Sequence, residues 1–454
     1  MKKLLVGILL ACSALAQAGE LVERQLPNGL KVIVKEDHRA PVVVSQVWYK
    51  AGSMDEFNGT TGVAHVLEHM MFRGTRKVAP GEFTRLIAAA GGRDNAFTSY
   101  DHTVYFQQLR NTSLPLAFRL EADRMQNLLL SDALFSKEIQ VVMEERRMRT
   151  EDSPQAKVQE ALMAAAFPEH PYGHPVIGWM NDLQHMTGQD ARDWYKRWYA
   201  PNNAVLVVVG DVQADDVFAL AQRYFGPVPA HVLPQRKVQI EAPQQGERRV
   251  IVKAPAKLPY LLWGFRVPVL HDVEHDWEPY ALEVLSGILD GNDAARLTRS
   301  LVREQHVATG VGAGYEAVSR GPALFMIEAT PAEGKTGAQV EAAWHAEIAR
   351  SQQDGVTPAE LERVKVQVMA SKVYEQDSMF YQAMQLGDLE TSGLGADKAD
   401  EMVAQLRKVT AEQVRDVARR YLVDDGLTAA VLDPQPIQPG MHINEGEMGG
   451  GHVR

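Results

Sequence analysis

One cysteine in 454 residues rules out a disulfide framework and any cysteine-based zinc knuckle. No long Lys/Arg block occurs, and 58 acidic residues against 47 basic ones leave a formal net charge of −11. Phosphate contacts need a basic face, so nucleic acid is excluded as the expected partner. Beyond the first 18 residues, the longest apolar run, 204–210, has only the length of a strand, so no transmembrane span is expected. Any bound metal must therefore be held by His and carboxylates. Hydrophobic residues at 45% and charged residues at 23% give an ordinary globular balance.

The chain opens like an export signal. Lys2 and Lys3 form a basic start, Leu4 to Leu15 an apolar core, and Ala16-Gln17-Ala18 a small-residue cleavage site. The expected location is the periplasm. The alternative is a lipoprotein anchored through an acylated Cys12, after Leu9-Leu10-Ala11.

Strand-like segments at Lys31–Lys35 and Val42–Tyr49 come first, then helical patterns around Gly62–Phe72 and Gly81–Ala90. Asn95–Gln108 reads as strand, while Leu114–Leu130 and Asp132–Thr150 read as long helices. A helix near Asp190–Tyr199 and a buried strand, Ala204–Val209, close this half. The pattern then restarts, with strands at Arg249–Lys253 and Tyr260–Arg266 and a helix at Glu278–Leu289. Thr410, Arg415, Asp416, Arg420 and Tyr421 match Thr187, Arg192, Asp193, Arg197 and Trp198 at identical spacing, each set preceding an apolar strand. An internal repeat of about 200 residues follows, in an α+β chain. The Pro- and Gln-rich stretch from Pro227 to Gln245 marks the join. The expected division is a signal peptide at 1–18, a first domain at 19–230, a linker at 231–247, a second domain at 248–432 and a disordered tail at 433–454.

Chemistry concentrates in Gly62-Val-Ala-His65-Val-Leu-Glu68-His69-Met-Met-Phe72. On a helix His65 and His69 share a face and converge on one metal ion. Glu68 stands where a carboxylate takes a proton from water beside that metal. Chance H-x-x-E-H matches arise in about 2 of 100 chains of this length. A second match, His271-Asp-Val-Glu274-His275, lies between Pro268 and Pro279 without a flanking apolar stripe, and reads as an exposed loop. A catalytic zinc site needs a third protein ligand. Glu138, Glu144 and Glu145 are available on the helix after Asp132. Glu138 and Glu145 are two turns apart and face one way, so one binds metal while the other supports it. The bland alternative is a solvated acidic face beside Arg146, Arg147 and Arg149.

These segments resemble the inverted-zincin metallopeptidases of the pitrilysin group, especially short bacterial members and the β subunit of the mitochondrial processing peptidase. Glu145, after 75 intervening residues, falls where that family has its third ligand. At the same distance beyond His275 stand Arg, Ser and Gln. Also similar are Gly91-Gly92…Asn95-Ala96-Phe97-Thr98, His170-Pro-Tyr-Gly173 and Tyr199-Ala-Pro-Asn-Asn203. The resemblance implies two homologous α/β-sandwich domains in tandem, as in the LuxS- and processing-peptidase-like metallopeptidases. It also implies one Zn2+ per chain on His65, His69 and Glu145, with Glu68 as base and Glu138 in support. Peptide substrate would lie along Asn95 and Ala96 as an added β-strand. The rival reading is a non-catalytic scaffold or peptide-binding subunit of a larger complex.

One departure matters. The family's self-sufficient members carry an Arg and a Tyr in the second half that touch substrate. Arg303 matches the Arg, but Thr309 stands at the Tyr position and Tyr315 is out of register. The expectation is a hetero-oligomer whose homologous partner supplies the missing Arg/Tyr site, with a homodimer as the alternative.

Overall fold

The structure, a computed structural model, describes residues 19–438. The expected signal peptide, Cys12 and most of the expected tail lie outside the described residues.

Two sheets organise the chain. The first contains β1 (Leu21–Gln25), β2 (Lys31–Glu36), β3 (Val42–Tyr49), β4 (Arg93–Thr98), β5 (Thr103–Arg110) and β6 (Ala204–Gly210). The second contains β7 (Arg248–Pro255), β8 (Leu261–Val267), β9 (Ala308–Gly314), β10 (Ala323–Pro331) and β11 (Leu427–Gln435). Their orders are β1-β2-β6-β3-β5-β4 and β7-β11-β8-β10-β9. Without β1, the two match strand for strand. In each, the first pair is parallel (β2–β6, β7–β11) and the other neighbours are antiparallel.

Helices of the first half are α1 (Val63–Met70), α2 (Glu82–Ala89), α3 (Leu114–Asn127), α4 (Asp132–Arg146), α5 (Pro154–Ala166), α6 (Met180–His185), α7 (Gly188–Trp198) and α8 (Ala214–Tyr224). Those of the second are α9 (Trp277–Asp290), α10 (Gly337–Gln353), α11 (Pro358–Glu375), α12 (Met379–Ser392), α13 (Ala399–Lys408) and α14 (Ala411–Tyr421). The matched threonines of the repeat have a physical role. Thr187 and Thr410 are the N-caps of α7 and α14, and each closes a capping box, with Asp190 and Gln413 respectively. The tandem α+β architecture expected from the repeat is the one observed.

Period-two alternation sends Val43, Val47 and Tyr49 of β3 to one face of the first sheet, where α1, α3 and α7 build the main core. The other face presents Ile33, Val44, Trp48, Val205 and Val207, and α12 of the second half covers it with Ala383 and Leu386. The converse also holds. Helix α5 of the first half lays Val158, Leu162 and Ala166 on Leu262, Ala430 and Leu432 of the second sheet. Each half thus lends one helix to the other. Where α12 crosses β3, Gly387 lies against the Trp48 ring and leaves no room for a Cβ.

Polar contacts reinforce this seam. Arg320 pairs with Asp55 at 3.1 Å and donates its backbone N–H to Asp101 at 2.8 Å. Tyr172 donates to the other Asp101 oxygen at 2.5 Å. No helix or strand spans 231–247. Arg236 pins this stretch to Asp55 at 2.6 Å and stacks its guanidinium on Trp198.

Candidate metal centre and edge strand

Helix α1 starts abruptly because Gly62 takes a left-handed φ of 88°. The Glu56 carboxylate then accepts the N–H groups of Gly62 and Ala64 at 2.7 and 2.8 Å, satisfying the first turn. Val63, Val66, Leu67 and Met70 bury one side. His65 and His69, four residues apart, project together from the opposite side of the helix, their ring centroids 4.8 Å apart. Facing them is α4, whose Ser131 N-cap accepts from Leu134.

His69 Nε2 lies 3.1 Å from one Glu145 oxygen, and His65 Nε2 lies 3.8 Å from the other. One ligand atom from each of the three residues falls within 4.8 Å of the others. Ligands of a tetrahedral ion with bonds of about 2.1 Å stand about 3.4 Å apart, so two imidazoles and a carboxylate at these spacings fit zinc. Among the described residues no other cluster of this kind occurs. Glu144 turns instead to Arg147, 2.8 Å away on the exposed side. His271 and His275 sit in an exposed loop, His275 bonded to Asp272 at 3.0 Å, as expected for the second match. The matching helix of the second half, α9, buries Val284, Leu285 and Ile288 and carries no His.

Burial first, then the neighbouring His69 charge, pulls His65 down to about 4, so it is a neutral donor. Burial works against the charge on His69 too, but bonds to Glu138 and Glu145 outweigh it and raise the group to about 9. Burial would raise Glu145, yet His69, His65 and Arg149 hold it near about 2. Glu68 is pushed up to about 6 by burial, partly offset by its bond from Thr98.

Glu138 does not reach the cluster as a ligand. It is buried, sits 3.2 Å from His69 Nδ1 and takes a 2.7 Å bond from Arg73 Nη2. This is the carboxylate–histidine arrangement that fixes ring orientation at metal sites. Val141 and Met148, three residues beyond Glu138 and Glu145 respectively, are exposed, and the buried apolar stripe of α4 includes Ile139, Val142 and Met143.

Three partners were not found from the sequence. Arg73, one turn beyond His69, holds Glu138. Arg149, one turn beyond Glu145, pairs with it at 2.7 Å. Thr98 donates its hydroxyl to Glu68 Oε2 at 2.5 Å. Only the Arg149–Glu145 pair follows from i,i+4 spacing; the contacts of Arg73 with Glu138 and of Thr98 with Glu68 needed the tertiary fold.

Thr98 ends β4, which lies at the sheet edge and pairs only with β5. Asn95 and Ala96 lie on this strand, the Asn95 side chain accepting the Ala96 N–H at 2.9 Å. Arg303 is not brought to the centre. It is exposed on the second half and pairs with Asp293 at 3.1 Å. Thr309 donates to the Thr330 carbonyl, and the Tyr315 hydroxyl is engaged by the Pro268 carbonyl at 2.6 Å. No helix of the described residues is long and apolar enough to cross a membrane.

Residues 31–179 match the family model described as insulinase (peptidase family M16), and 185–368 match that of the peptidase M16 inactive domain. The zinc protease PqqE of Helicobacter pylori is 30% identical over 90% of this chain and 92% of its own. A Mycobacterium tuberculosis protein described as an uncharacterized zinc protease is 31% identical over 90% and 92%. The crystal structure of a protease from Helicobacter pylori superposes with a TM-score of 0.86 at 28% identity, covering 92% of this chain and all of that one. Half of the periplasmic protease PqqL of Escherichia coli shares the fold, with a TM-score of 0.78 at 19% identity. Both family models and the relatives at 30% identity or more agree, and the chain belongs to the insulinase family of peptidases, M16.

Proposed function

We propose that this chain is an exported zinc-dependent peptidase that hydrolyses peptides or unfolded segments in the periplasm. The observation that carries the reading is the convergence of His65, His69 and Glu145 beside a Glu68 that is held but not a member of the cluster. His65, His69 and Glu145 would hold zinc, and Glu138 with Arg73 would keep His69 in its ligating orientation. When bound, zinc supplies positive charge that polarises a peptide carbonyl and acidifies adjacent water. Glu68 takes the proton from that water and passes it to the leaving amine. A peptide pairing with the free edge of β4, past Asn95 and Ala96, presents its backbone to Glu68 with little demand on sequence. The match to an inactive-domain model spans 185–368, beginning in the first half beyond α1 and α4, so it does not include His65, Glu68, His69 or Glu145, and α9 within it has no His.

A partner chain belongs to this reading. Arg303 points to solvent, Thr309 is too short to reach across a cleft, and Tyr315 is committed to its own half. A homologous subunit would supply the missing Arg and Tyr.

Zinc content and peptide turnover of the chain and of Glu68→Gln test the proposal. Glu68→Gln should keep its zinc and lose turnover by a factor of about 100 or more. Near-normal turnover in that variant would remove Glu68 from the base role.

A further inference from the structure

Beside β4 runs a groove of about 1120 Å3 built by both halves. Residues 91–95, the approach to β4 and its first half, form one wall. Val44 and Phe106 form the floor. The turn into α12 closes it, with Phe380 meeting Phe106 edge to face at 4.9 Å.

Cross-strand partners share a sheet face, which sorts the side chains of β4 into two rows. Asp94 and Thr98 face the metal-bearing side, where Asp94 accepts the Thr84 hydroxyl and Thr98 donates to Glu68. Arg93 is paired opposite Gln108 and bonds to it at 2.8 Å, and Phe97 packs on Trp48; this row faces α12 and the groove. A peptide added to the edge of β4 divides the same way, with alternate side chains toward the groove.

The rim is cationic. Arg93 and Arg110 are both exposed, and no carboxylate among the described residues pairs with either. Arg39, also at the rim, has its charge spent on Asp37 at 2.6 Å and on Asp377 at 3.6 Å. Asp94 also lines the groove, but its carboxylate takes the Thr84 hydroxyl on the other row, so the exposed charges left on the groove-facing row are Arg93 and Arg110, in a chain whose net charge is −11.

We propose that this groove is a substrate subsite that takes a carboxylate presented beside apolar side chains, about five residues from the cleaved bond. The inference rests on the peptidase reading and names its substrate class: acidic or C-terminal peptide segments. Thr98 marks the reacting end of β4, and Arg93 lies five residues back, about 17 Å at the rise of a strand. Antiparallel pairing, the more stable form per residue, places the carboxylate on the C-terminal side of the cleaved bond. The carboxylate comes from an acidic side chain or from the peptide's own end.

Four peptides test this. Three are amidated and differ only in Glu, Gln or Lys at the fifth residue after the cleaved bond; the fourth ends there, as Gln with a free carboxylate. Binding is read by fluorescence anisotropy on Glu68→Gln protein loaded with zinc, and turnover on the unaltered chain. The Glu peptide should bind about fivefold tighter than the Lys peptide, the scale of two exposed ion pairs. Arg93→Glu combined with Arg110→Glu should invert that order. If the free-carboxylate peptide ranks with Glu, the subsite also reads peptide ends; if it ranks with amidated Gln, it reads side chains. Equal binding of the Glu and Lys peptides, or a preference that survives charge reversal, overturns the subsite. A preserved order with no turnover of any peptide would instead overturn the peptidase reading and leave the groove standing.

Discussion

Replacing Thr98 by Val removes one hydroxyl and barely changes the side-chain shape, so it isolates a single bond. That hydroxyl reaches Glu68 Oε2 at 2.5 Å from the last residue of β4. With one oxygen held, the carboxylate is fixed near His69 and Glu145, with which it interacts electrostatically. A hydrogen bond to a charged group contributes about 1.5–3 kcal/mol. If all of it is expressed in the transition state, kcat falls by about 10- to 150-fold, at about 1.4 kcal/mol per decade. Steady-state turnover of a quenched fluorescent peptide gives kcat and KM, and zinc is measured on the same samples. Thr98→Val should lose kcat with zinc and KM unchanged, and Thr98→Ser, which restores the donor, should recover most of it. Unchanged kcat in Thr98→Val would refute the positioning role. So would a Ser variant as slow as the Val one, because shape would then be the cause.

Glu145→Gln should empty the metal site, while His275→Ala, in the exposed loop, should leave zinc at one per chain by metal analysis. Asp388, on the seam beside Glu316 and Asp101, is raised by burial from 3.8 to about 8. Its folded form holds a proton that the unfolded chain releases, so this group's contribution is full below about pH 4 and fades as pH rises toward 8. Asp388→Asn should therefore raise Tm at pH 8 more than at pH 5 in thermal melts; an equal change at both would reject the assignment. Leu162, fully buried between α5 and the second sheet, should cost about 2–5 kcal/mol when cut to Ala. Both halves should still unfold in one denaturant transition. A native mass equal to a lone chain, with efficient cleavage and no gain in Thr309→Tyr, would reject the partner subunit.

The helix that carries His65, Glu68 and His69 was legible because its signal is local. Two His and a Glu within five residues, set in an apolar stripe, already define a face. Glu145 was singled out only through resemblance, since the charge pattern of α4 by itself favoured a solvated acidic face. Asn95–Gln108 reads as one strand because the reversal at Ser99–His102 carries neither Gly nor Pro. The Ser99 hydroxyl makes that turn by accepting the N–H groups of Asp101 and His102 at 3.1 Å. The resemblance placed Arg303 near substrate, but no periodicity reports which way the helical segment Thr298–Glu304 of the second half turns that side chain. The covering roles of α5 and α12 were illegible for a related reason. An amphipathic pattern shows that a helix has a partner, not which sheet that partner is in.

The exchanged helices have a consequence for synthesis. The sheet face bearing Ile33, Val44 and Trp48 is complete once β6 has been made, yet its cover, α12, ends at Ser392. The face therefore stays bare until the whole stretch from Gly210 to Ser392 has emerged on the side of the membrane where the chain folds. Two nascent chains side by side could each insert α12 into the other, because the receiving surface cannot tell its own helix from a neighbour's. The order in which the chain emerges therefore makes intertwined dimers the characteristic misassembly, and a high local concentration of incompletely folded chains the condition that favours them.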